Sequence, residues 1–311
     1  MLKNKKILVF GSGGYLGSKF CELIEKNNII DKPKFQNYKT NLGDFYYNKI
    51  NFLIKNNNYS HIVNFHAHTD IKKANQQFKY DFYHNCSIVH SIINSLIKNL
   101  SKSFFLNIGT VTQVGYTNFS SKIQMNYSNK PNNIFDLHKQ YNEDFLRINK
   151  LIYGIGGTTL RLSNIFGQSN KIFSVNRGLI NKLIDSAIIN NSIDLYGSGK
   201  NIRDFLYIDD AINGIMLALK NSEKLNDSFY YLSSGKGTSF NNLAKILKKN
   251  TKTILNSDLK INYKKWPVDL DILNKRNFVG NPNSFKKATK WKPMYSLENA
   301  IIDYIKNFKL I

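Results

Sequence analysis

The sequence predicts an α/β fold in which a doubly wound parallel sheet is followed by a smaller C-terminal lobe. Short apolar runs alternate with helical stretches up to about residue 167, a pattern typical of a parallel sheet with helices on both faces. A glycine-rich segment, GSGGYLGS at residues 11–18, directly follows the first apolar run. The last third of the chain has weaker strand patterns, so we expect it to form the separate lobe.

The alternating elements follow one another in a regular order. The predicted strands are KILVFG (6–11), a short one near Lys34 to Tyr38, HIVNFHA (61–67), SFFLNIGT (103–110) and TTLRLSNIFG (158–167). The predicted helices cover about Leu16–Asn27, Phe45–Asn56, Phe82–Lys98 and Phe135–Asn149. Strands separated by single helices at this spacing indicate parallel neighbours.

Composition sets further bounds. The chain has 311 residues, of which 42% are hydrophobic and 13% aromatic, enough to bury a substantial core. No run approaches the roughly 18 apolar residues of a membrane span, and the first apolar run is too short for a signal peptide. We therefore expect no membrane span and a cytoplasmic location.

Cys21 and Cys86, the only cysteines, lack CxxC spacing, which favours neither a disulfide framework nor a thiolate metal site.

The charge is strongly positive, with 44 Lys and Arg against 21 Asp and Glu and a formal net charge of +23. Such an excess attracts anions, including phosphates, and raises the question of a nucleic-acid partner. The lysines are spread along the whole chain among many asparagines, without a basic block. We therefore expect no specific nucleic acid and interpret most of this charge as a solvated surface.

Gly11, Gly14 and Gly17 form a G-x-x-G-x-x-G pattern between the first predicted strand and the first predicted helix. At this position, backbone amides and the helix dipole can hold a pyrophosphate. The placement favours a Rossmann-like dinucleotide site over a merely tight turn. The acidic residue that would hold an adenosine ribose is absent from KFQNYKTN (34–41), where Lys34 or Lys39 could meet a 2'-phosphate. Both NAD and NADP therefore stay open.

The later segments resemble the extended short-chain dehydrogenase/reductase family, the nucleotide-sugar epimerases, dehydratases and ketoreductases. The matching segments are VNFHAHTD (63–70), NIGTVTQVG (107–115), FDLHK (135–139), LRLSNIFG (160–167), LYGSGKNIRDFLYIDD (195–210) and WKPMYSLENAI (291–301). The resemblance covers nearly the whole chain, and YGSGKNIRDFLYIDD is its most specific part. It implies NAD or NADP as cofactor and a nucleotide-diphosphate sugar as substrate, and we expect a homodimer.

The resemblance also implies roles for individual residues. Thr110 takes the position of a hydrogen-bonding Ser/Thr, Lys139 that of the lysine that orients the cofactor ribose, and Phe135 that of the catalytic tyrosine. The cofactor-binding set is Gly11, Gly13, Gly14, Tyr15, Leu16, Gly17, Asn41, His66, Ala67 and Lys139. The substrate-binding set is Thr112, Asn164, Arg203 and Arg276.

Arg203 stands where the family commonly binds the phosphates of a sugar nucleotide, a task suited to a planar, charged guanidinium. The plainer alternative for Arg203 is a surface ion pair with Asp204 or Asp209. For Asn164 the plainer alternative is a hydrogen bond to a backbone group at a strand end.

The FDLHK segment departs from the family pattern. Phe135 and Lys139 are four residues apart and share a helix face, but the acid–base hydroxyl of the family's tyrosine is missing. Tyr196 has Lys200 four residues later but belongs to the substrate segment, and Tyr141 faces away from Phe135. Three explanations stay open: a natural enzyme with altered chemistry, a non-catalytic NAD(P) or sugar-nucleotide binding protein, and a laboratory variant with Tyr replaced by Phe.

Two histidines could substitute for the missing hydroxyl. His66 and His68 alternate at a predicted strand end near the cofactor, and with Asp70 they mimic a metal cluster. The equivalent family segment is ordinary strand backbone, so we expect no metal. His68 is the first alternative for moving a proton, whereas His138 lies off the face shared by Phe135 and Lys139.

The residues after Thr110 bear on the type of reaction. Family dehydratases have an Asp-Glu pair there and decarboxylases a Glu, but this chain has Val111, Thr112 and Gln113. The resemblance therefore favours epimerisation through a transient keto sugar or reduction of a keto sugar, in surface-polysaccharide synthesis. We expect a dinucleotide-binding domain over 1–165 and about 204–222, and a substrate-binding lobe over 166–203 and 223–311.

Overall fold

A parallel sheet of six strands forms the centre of the protein. We describe a computed structural model, which covers residues 5–24, 29–33, 42–116, 122–168, 178–266 and 276–308, with only the backbone of residues 29–30 and 42–46. The strands of the sheet are β1 (Lys6–Phe10), β2 (Ile29–Asp31), β3 (His61–Asn64), β4 (Phe104–Thr110), β5 (Gly157–Leu162) and β9 (Phe229–Leu232). Their order is β2-β1-β3-β4-β5-β9, and all neighbouring strands are parallel. The predicted α/β fold class is confirmed.

Helices cover both faces of this sheet. Ile7 and Val9 of β1 belong to one core, and Leu8 and Phe10 belong to the other, because successive side chains of a strand point to opposite faces. The first core includes side chains of α1 (Tyr15–Ile24), α7 (Leu179–Ile189) and α8 (Ile208–Lys220). The second includes side chains of α2 (Leu42–Asn56), α5 (Ile88–Lys98) and α6 (Ile134–Tyr153). Burial on both faces explains why the strands read as continuous apolar runs.

Two short helices and a π-helical turn precede α5. They are α3 (Ile71–Gln76), α4 (Phe78–Phe82) and the turn Tyr83–Ser87. The predicted helix from Phe82 to Lys98 therefore begins four residues earlier and contains a π-helical turn. Single 3-10 turns follow β4 at Val111–Val114 and α8 at Ser222–Lys224.

Two small sheets lie outside the central one. Strands β6 (Asn164–Phe166), β8 (Ile202–Tyr207) and β10 (Gly237–Ser239) form one, and β7 (Ser192–Tyr196) pairs with β11 (Lys260–Lys264) in the other. The remaining helices are α9 (Phe240–Leu255), α10 (Asn283–Thr289) and α11 (Leu297–Lys306). No helix in the described ranges is long and apolar enough to cross a membrane.

Two sequence-based expectations change, and a third cannot be compared with the described residues. The second strand is Ile29–Asp31, whereas the predicted position, Lys34 to Tyr38, lies outside the described residues. The third strand ends at Asn64, before the two histidines assigned to it. Strand β9 pairs with β5 in the central sheet, so the predicted substrate lobe contains one strand of the other domain. The order of elements in the chain does not reveal this pairing, because β6, β7 and β8 lie between β5 and β9 in the sequence.

The sheet brings distant segments to one edge. Phe10 is opposite Asn64, Asn64 is opposite Asn107, and Thr110 is opposite Leu162 in register. The carboxyl ends of β1, β3, β4 and β5 therefore lie side by side, the place where open α/β sheets bind ligands.

Candidate functional site

The glycine loop closes tightly between β1 and α1. Gly11 has a φ of +74°, and a Cβ there would lie 2.5 Å from the backbone nitrogen of His66. A Cβ on Gly17 would lie 2.2 Å from the carbonyl oxygen of Gly11. The amide of Gly14 donates to that same oxygen at 3.0 Å. Gly11 and Gly17 are therefore required by the protein's own backbone, because any side chain would prevent the turn from closing.

Gly13 differs from these glycines because a Cβ there would have no protein atom within 4 Å. A loop that leaves space at its outer position, at the start of a ten-residue helix, is a cradle for an anionic group. The residues present therefore fit a dinucleotide. The sequence argument expected Gly11, Gly14 and Gly17 to make room for a pyrophosphate. In the structure, Gly13 is the glycine that faces open space.

Tyr15 and Leu16 connect the loop to the rest of the protein. The hydroxyl of Tyr15 donates to the carbonyl oxygen of Gly167 at 2.7 Å and accepts from Asn181 at 3.4 Å, and burial raises the pKa of this tyrosine. Leu16 packs against the core. Both residues thus fix the start of α1, while Asn41, also assigned to the cofactor, lies outside the described residues.

Phe135 and Lys139 lie together on the buried face of α6, as their spacing predicts. The ammonium of Lys139 lies 5.7 Å from the centre of the Phe135 ring and donates to the carbonyl oxygen of Ile108 at 2.9 Å. Lys139 is 5% exposed, and burial lowers its pKa to about 8. The lysine is thus positioned by a bond to β4 and remains largely protonated at neutral pH.

A hydrogen-bonded network surrounds Asp136, the residue after Phe135. One carboxylate oxygen, Oδ1, accepts from the hydroxyl of Thr112 at 2.5 Å, and Oδ2 accepts from Arg276 at 2.8 Å and from Asn133 at 2.5 Å. The hydroxyl of Thr112 lies 2.8 Å from that of Thr110, and Arg276 also donates to the carbonyl oxygen of Thr112 at 3.3 Å. Three residues assigned to the site, Thr110, Thr112 and Arg276, therefore meet around Asp136.

Sequence reasoning missed Asp136. In the sequence it is an acidic residue in the first turn of a helix, which the helix dipole alone would explain. Its partner Arg276 is 140 residues away in the chain. The only local signal was its position beside Phe135.

Arg203 is buried next to Arg276. It is 6% exposed, contacts the carbonyl oxygen of Arg276, and has its guanidinium 4.8 Å from the ring centre of Phe278. Burial and the charge of Arg276 lower the pKa of Arg203 to about 9. Two guanidinium groups in this position favour an anion between or beside them.

The predicted alternative of a surface ion pair for Arg203 is wrong, because the residue is not at the surface. Asp204 accepts from the backbone and hydroxyl of Ser234, and Asp209 lies 3.1 Å from the ammonium of Lys19. Asn164 begins β6 and is partly buried, opposite Phe205 of β8.

The histidines form a separate network around Asp81. The Nδ1 atoms of His68 and His138 lie 2.8 and 2.7 Å from the two oxygens of this fully buried carboxylate. Burial alone would raise the pKa of Asp81, but the hydrogen bonds from His138 and His68 outweigh it and lower that pKa. Asp70 instead caps α3 by accepting from the amide of Lys73.

His66 and Ala67 follow β3 beside the glycine loop. The ring of His66 stacks with that of His84 at 5.9 Å. Burial, together with the charges of His84 and Lys139, lowers the pKa of His66 to about 4, so this imidazole is neutral at neutral pH. Within the described ranges, no group of three or more His, Cys, Asp or Glu residues is arranged to hold a metal.

A cavity of about 400 Å³ lies at the start of β8, the strand whose second residue is Arg203. Its walls are formed by Gly197, Ser198, Lys200, Asn201, Trp266 and Asn277. The rings of Tyr196 and Trp266 stack at 5.5 Å, and the side-chain oxygen of Asn277 accepts from the amide of Ile202 at 2.8 Å. Sequence reasoning identified the segment around Lys200 but not Trp266 or Asn277, which belong to a part of the chain without a strong pattern.

Comparison with known proteins now decides the family. The sequence model of the NAD dependent epimerase/dehydratase family matches residues 7–231. The chain belongs to this family. The resemblance deduced from the motifs is confirmed, and so is the expected NAD or NADP cofactor as a property of the family.

Individual members of the family are distant in sequence. The chain is 27% identical over 259 residues to a protein of Methanocaldococcus jannaschii provisionally named UDP-glucose 4-epimerase, covering 78% of this chain and 81% of that one. It is 25% identical over 317 residues to a UDP-N-acetyl-alpha-D-glucosaminuronate decarboxylase of Bacillus cytotoxicus, covering 93% and 91%.

A similar solved structure is a tyrosine-to-phenylalanine mutant of UDP-glucuronic acid 4-epimerase from Bacillus cereus, in complex with a fluorinated UDP-sugar and NAD. It covers 97% of this chain and 99% of that chain with a TM-score of 0.79, at 17% identity. At this identity the likeness concerns the fold.

Proposed function

We propose that this protein is an NAD(P)-dependent nucleotide-sugar epimerase or ketoreductase. The observation that carries the proposal is the meeting of two kinds of group at one sheet edge. A glycine loop with open space at Gly13 and a buried Lys139 suit a dinucleotide, and the buried pair Arg203 and Arg276 suits a diphosphate. The names of the relatives, which concern UDP-sugars, support the same substrate class.

On the cofactor side, the loop and helix α1 would hold the pyrophosphate and Lys139 the ribose. When bound, the nicotinamide accepts or donates a hydride at a carbon of the sugar. The bond from Lys139 to the carbonyl oxygen of Ile108 positions the ammonium before any ligand arrives, which lowers the cost of ordering a flexible side chain.

On the substrate side, the diphosphate would lie against Arg203 and Arg276, and the nucleotide base in the cavity at the start of β8. The stacked rings of Tyr196 and Trp266 give that cavity an aromatic wall, and Asn201 and Asn277 offer amide groups to the edge of a base. Aromatic stacking combined with a few placed polar groups is the usual way in which proteins hold a planar ligand.

The residues near Thr110 favour epimerisation or reduction over elimination of water. Val111 and Gln113 are buried, and Gln113 donates to Glu143, which itself pairs with Arg161. Asp136, a carboxylate that reaches Thr112, is fully buried and paired with Arg276. Neither carboxylate is presented to a substrate as an elimination acid or base would be.

We also propose that the protein forms a homodimer through the outer faces of α4, the π-helical turn that follows it, and α6. Phe82, Tyr83, Leu137 and Tyr141 are between 37% and 48% exposed, and the ring of Phe82 lies 5.9 Å from that of Tyr141. A cluster of large apolar side chains across two helices is typical of an interface between subunits. A second copy of the chain is the expected partner.

Arg203→Ala tests the assignment of the substrate side. A charge-assisted hydrogen bond contributes about 1.5 to 3 kcal/mol, so the affinity for UDP-glucose should fall about ten- to a hundred-fold while the affinity for NAD stays. Calorimetry on the folded variant measures both affinities. Arg147→Ala is the control, because Arg147 is half exposed and pairs with Asp144 on the outer side of α6. An equal loss for both ligands would indicate general destabilisation and contradict the assignment.

A further inference from the structure

The hydrogen bonds that join Thr110, Thr112 and Asp136 have a fixed direction. The carboxylate of Asp136 forms an ion pair with Arg276 at 2.8 Å, and a carboxylate can only accept hydrogen bonds. The hydroxyl of Thr112 must therefore donate its proton to Asp136. The oxygen of Thr112 is then an acceptor, so the hydroxyl of Thr110, 2.8 Å away, donates to it.

This direction determines how Thr110 meets a ligand. Its proton points towards Thr112, and one of its lone pairs accepts from the amide of Thr112 at 3.2 Å. A hydroxyl oxygen has two lone pairs, so the second one remains for a ligand. Thr110 is partly exposed at the sheet edge, whereas Asp136 is fully buried. Thr110 therefore meets a sugar hydroxyl as an acceptor.

We propose that Thr110, supported by Thr112 and Asp136, takes the proton of the reacting sugar hydroxyl in place of the group that Phe135 lacks. The inference rests on the proposed function and deepens it. Thr110 is the catalytic residue, and Thr112 and Asp136 are positioning residues that act through it.

In the proposed step, protons move from the sugar hydroxyl through Thr110 and Thr112 to Asp136. The sugar O–H bond breaks, and its proton passes to Thr110 while the proton of Thr110 passes to Thr112 and that of Thr112 to Oδ1 of Asp136. The electron pair of the O–H bond would form the carbonyl double bond, and the hydride on the same carbon would pass to bound NAD(P)+, which supplies the oxidant. The reverse movements return the proton to a keto sugar.

In the described part of the chain, three other proton carriers already have hydrogen-bond partners. Lys139 is buried and donates to the carbonyl oxygen of Ile108. His68 and His138 both turn Nδ1 towards Asp81. By contrast, the hydrogen bonds of Thr110 lead from the partly exposed sheet edge to a buried anion.

Two variants of Thr112 in two backgrounds test the proposal. Thr112→Val removes the hydroxyl at nearly constant volume, and turnover should fall about 10² to 10⁴-fold, the usual share of a positioned proton carrier. Thr112→Ser keeps the hydroxyl and should stay within about ten-fold of the original chain. In the Phe135→Tyr background, Thr112→Val should cost less than about ten-fold, because the tyrosine hydroxyl provides a second path. An equal loss in both backgrounds would indicate a merely structural role and overturn the proposal.

Binding gives a second readout that does not depend on turnover. With NAD present, the chain should bind UDP-glucose about three- to ten-fold more tightly than UDP-4-deoxyglucose, since one hydrogen bond to Thr110 distinguishes them. Thr112→Val should reduce this preference, because its loss frees the proton of Thr110 to point elsewhere. An unchanged preference would overturn the proposal.

Two further outcomes separate this proposal from the proposed function. If only the Phe135→Tyr variant converted a sugar, the role of Thr110 would be overturned and the proposed function would stand. If neither chain bound UDP-sugars and NAD, both the role of Thr110 and the proposed function would be overturned.

Discussion

Two fully buried aspartates, one on each side of the site, have different partners. On the cofactor side, which comprises the glycine loop, His66, Lys139 and Asp81, the carboxylate of Asp81 contacts two histidines. On the substrate side, which comprises Thr110, Thr112, Asp136, Arg203 and Arg276, the carboxylate of Asp136 contacts an arginine. Histidine changes charge between pH 5 and 8, whereas arginine keeps its charge. Asp136 is therefore paired with a guanidinium, whereas Asp81 contacts two imidazoles.

The largest predicted effects on stability follow from replacing each aspartate with alanine. Asp136→Ala leaves Arg276 as an uncompensated buried charge, so the free energy of unfolding should fall by about 3 to 5 kcal/mol. Asp81→Ala removes the carboxylate that two imidazoles contact, and the loss should be about 1 to 3 kcal/mol. Urea denaturation at neutral pH measures both. Asp144→Ala, at an exposed pair with Arg147, is the control, with a change of about 0.5 kcal/mol or less. Equal losses for Asp81 and Asp136 would contradict the comparison.

Gly13→Val should disable the cofactor side alone. A side chain at Gly13 meets no protein atom within 4 Å, so the chain should fold, but the valine would occupy the space intended for the pyrophosphate. The affinity for NAD should fall about a hundred-fold or more, equivalent to ~2.7 kcal/mol, and the affinity for UDP-glucose much less.

The control for this substitution is Gly156→Ala, which precedes β5 at the other end of the sheet and would make only ordinary contacts with Phe104. Calorimetry with each ligand measures the result. Unchanged NAD affinity in folded Gly13→Val would show that the loop holds something else.

Lys139 should make the cofactor side sensitive to alkaline pH. Its pKa is lowered to about 8 by burial, so the ammonium loses its proton, and with it part of its attraction for the ribose, as the pH rises through 8. The affinity for NAD should then fall by about three- to ten-fold, the effect of one weakened hydrogen bond. The affinity for UDP-glucose should begin to fall only at higher pH, because the pKa of Arg203 is about 9.

Protein stability should change in the opposite direction. Between the lowered folded pKa of about 8 and the ordinary value of 10.5, the unfolded chain binds more protons at Lys139 than the folded chain does, so its contribution to stability rises with pH. Lys139→Met should remove both pH effects. If the variant kept the alkaline loss of NAD affinity, another group would be responsible.

The same comparison explains what the sequence could reveal. Gly11 with Gly17 and Phe135 with Lys139 are local pairs, and their spacing predicts their geometry. Asp81 and His138 are 57 residues apart, and Asp136 and Arg276 are 140 residues apart. No periodicity connects such pairs, because the sheet brings them together only after folding. The motif around Arg203 likewise indicated a phosphate ligand, but only the packed structure reveals that the guanidinium is buried beside a second one.

The most direct test of the central claim is to look for product. The purified chain would be incubated with NAD or NADP, in oxidised and reduced form, and a panel of nucleotide sugars and keto sugars, and the sugars analysed by nuclear magnetic resonance. We predict that one member of the panel is converted to a sugar with an inverted or reduced centre, and that Arg203→Ala slows this conversion. Tight binding of both ligands with no conversion in any combination would contradict the enzyme assignment and identify a protein that only binds NAD(P) and sugar nucleotides.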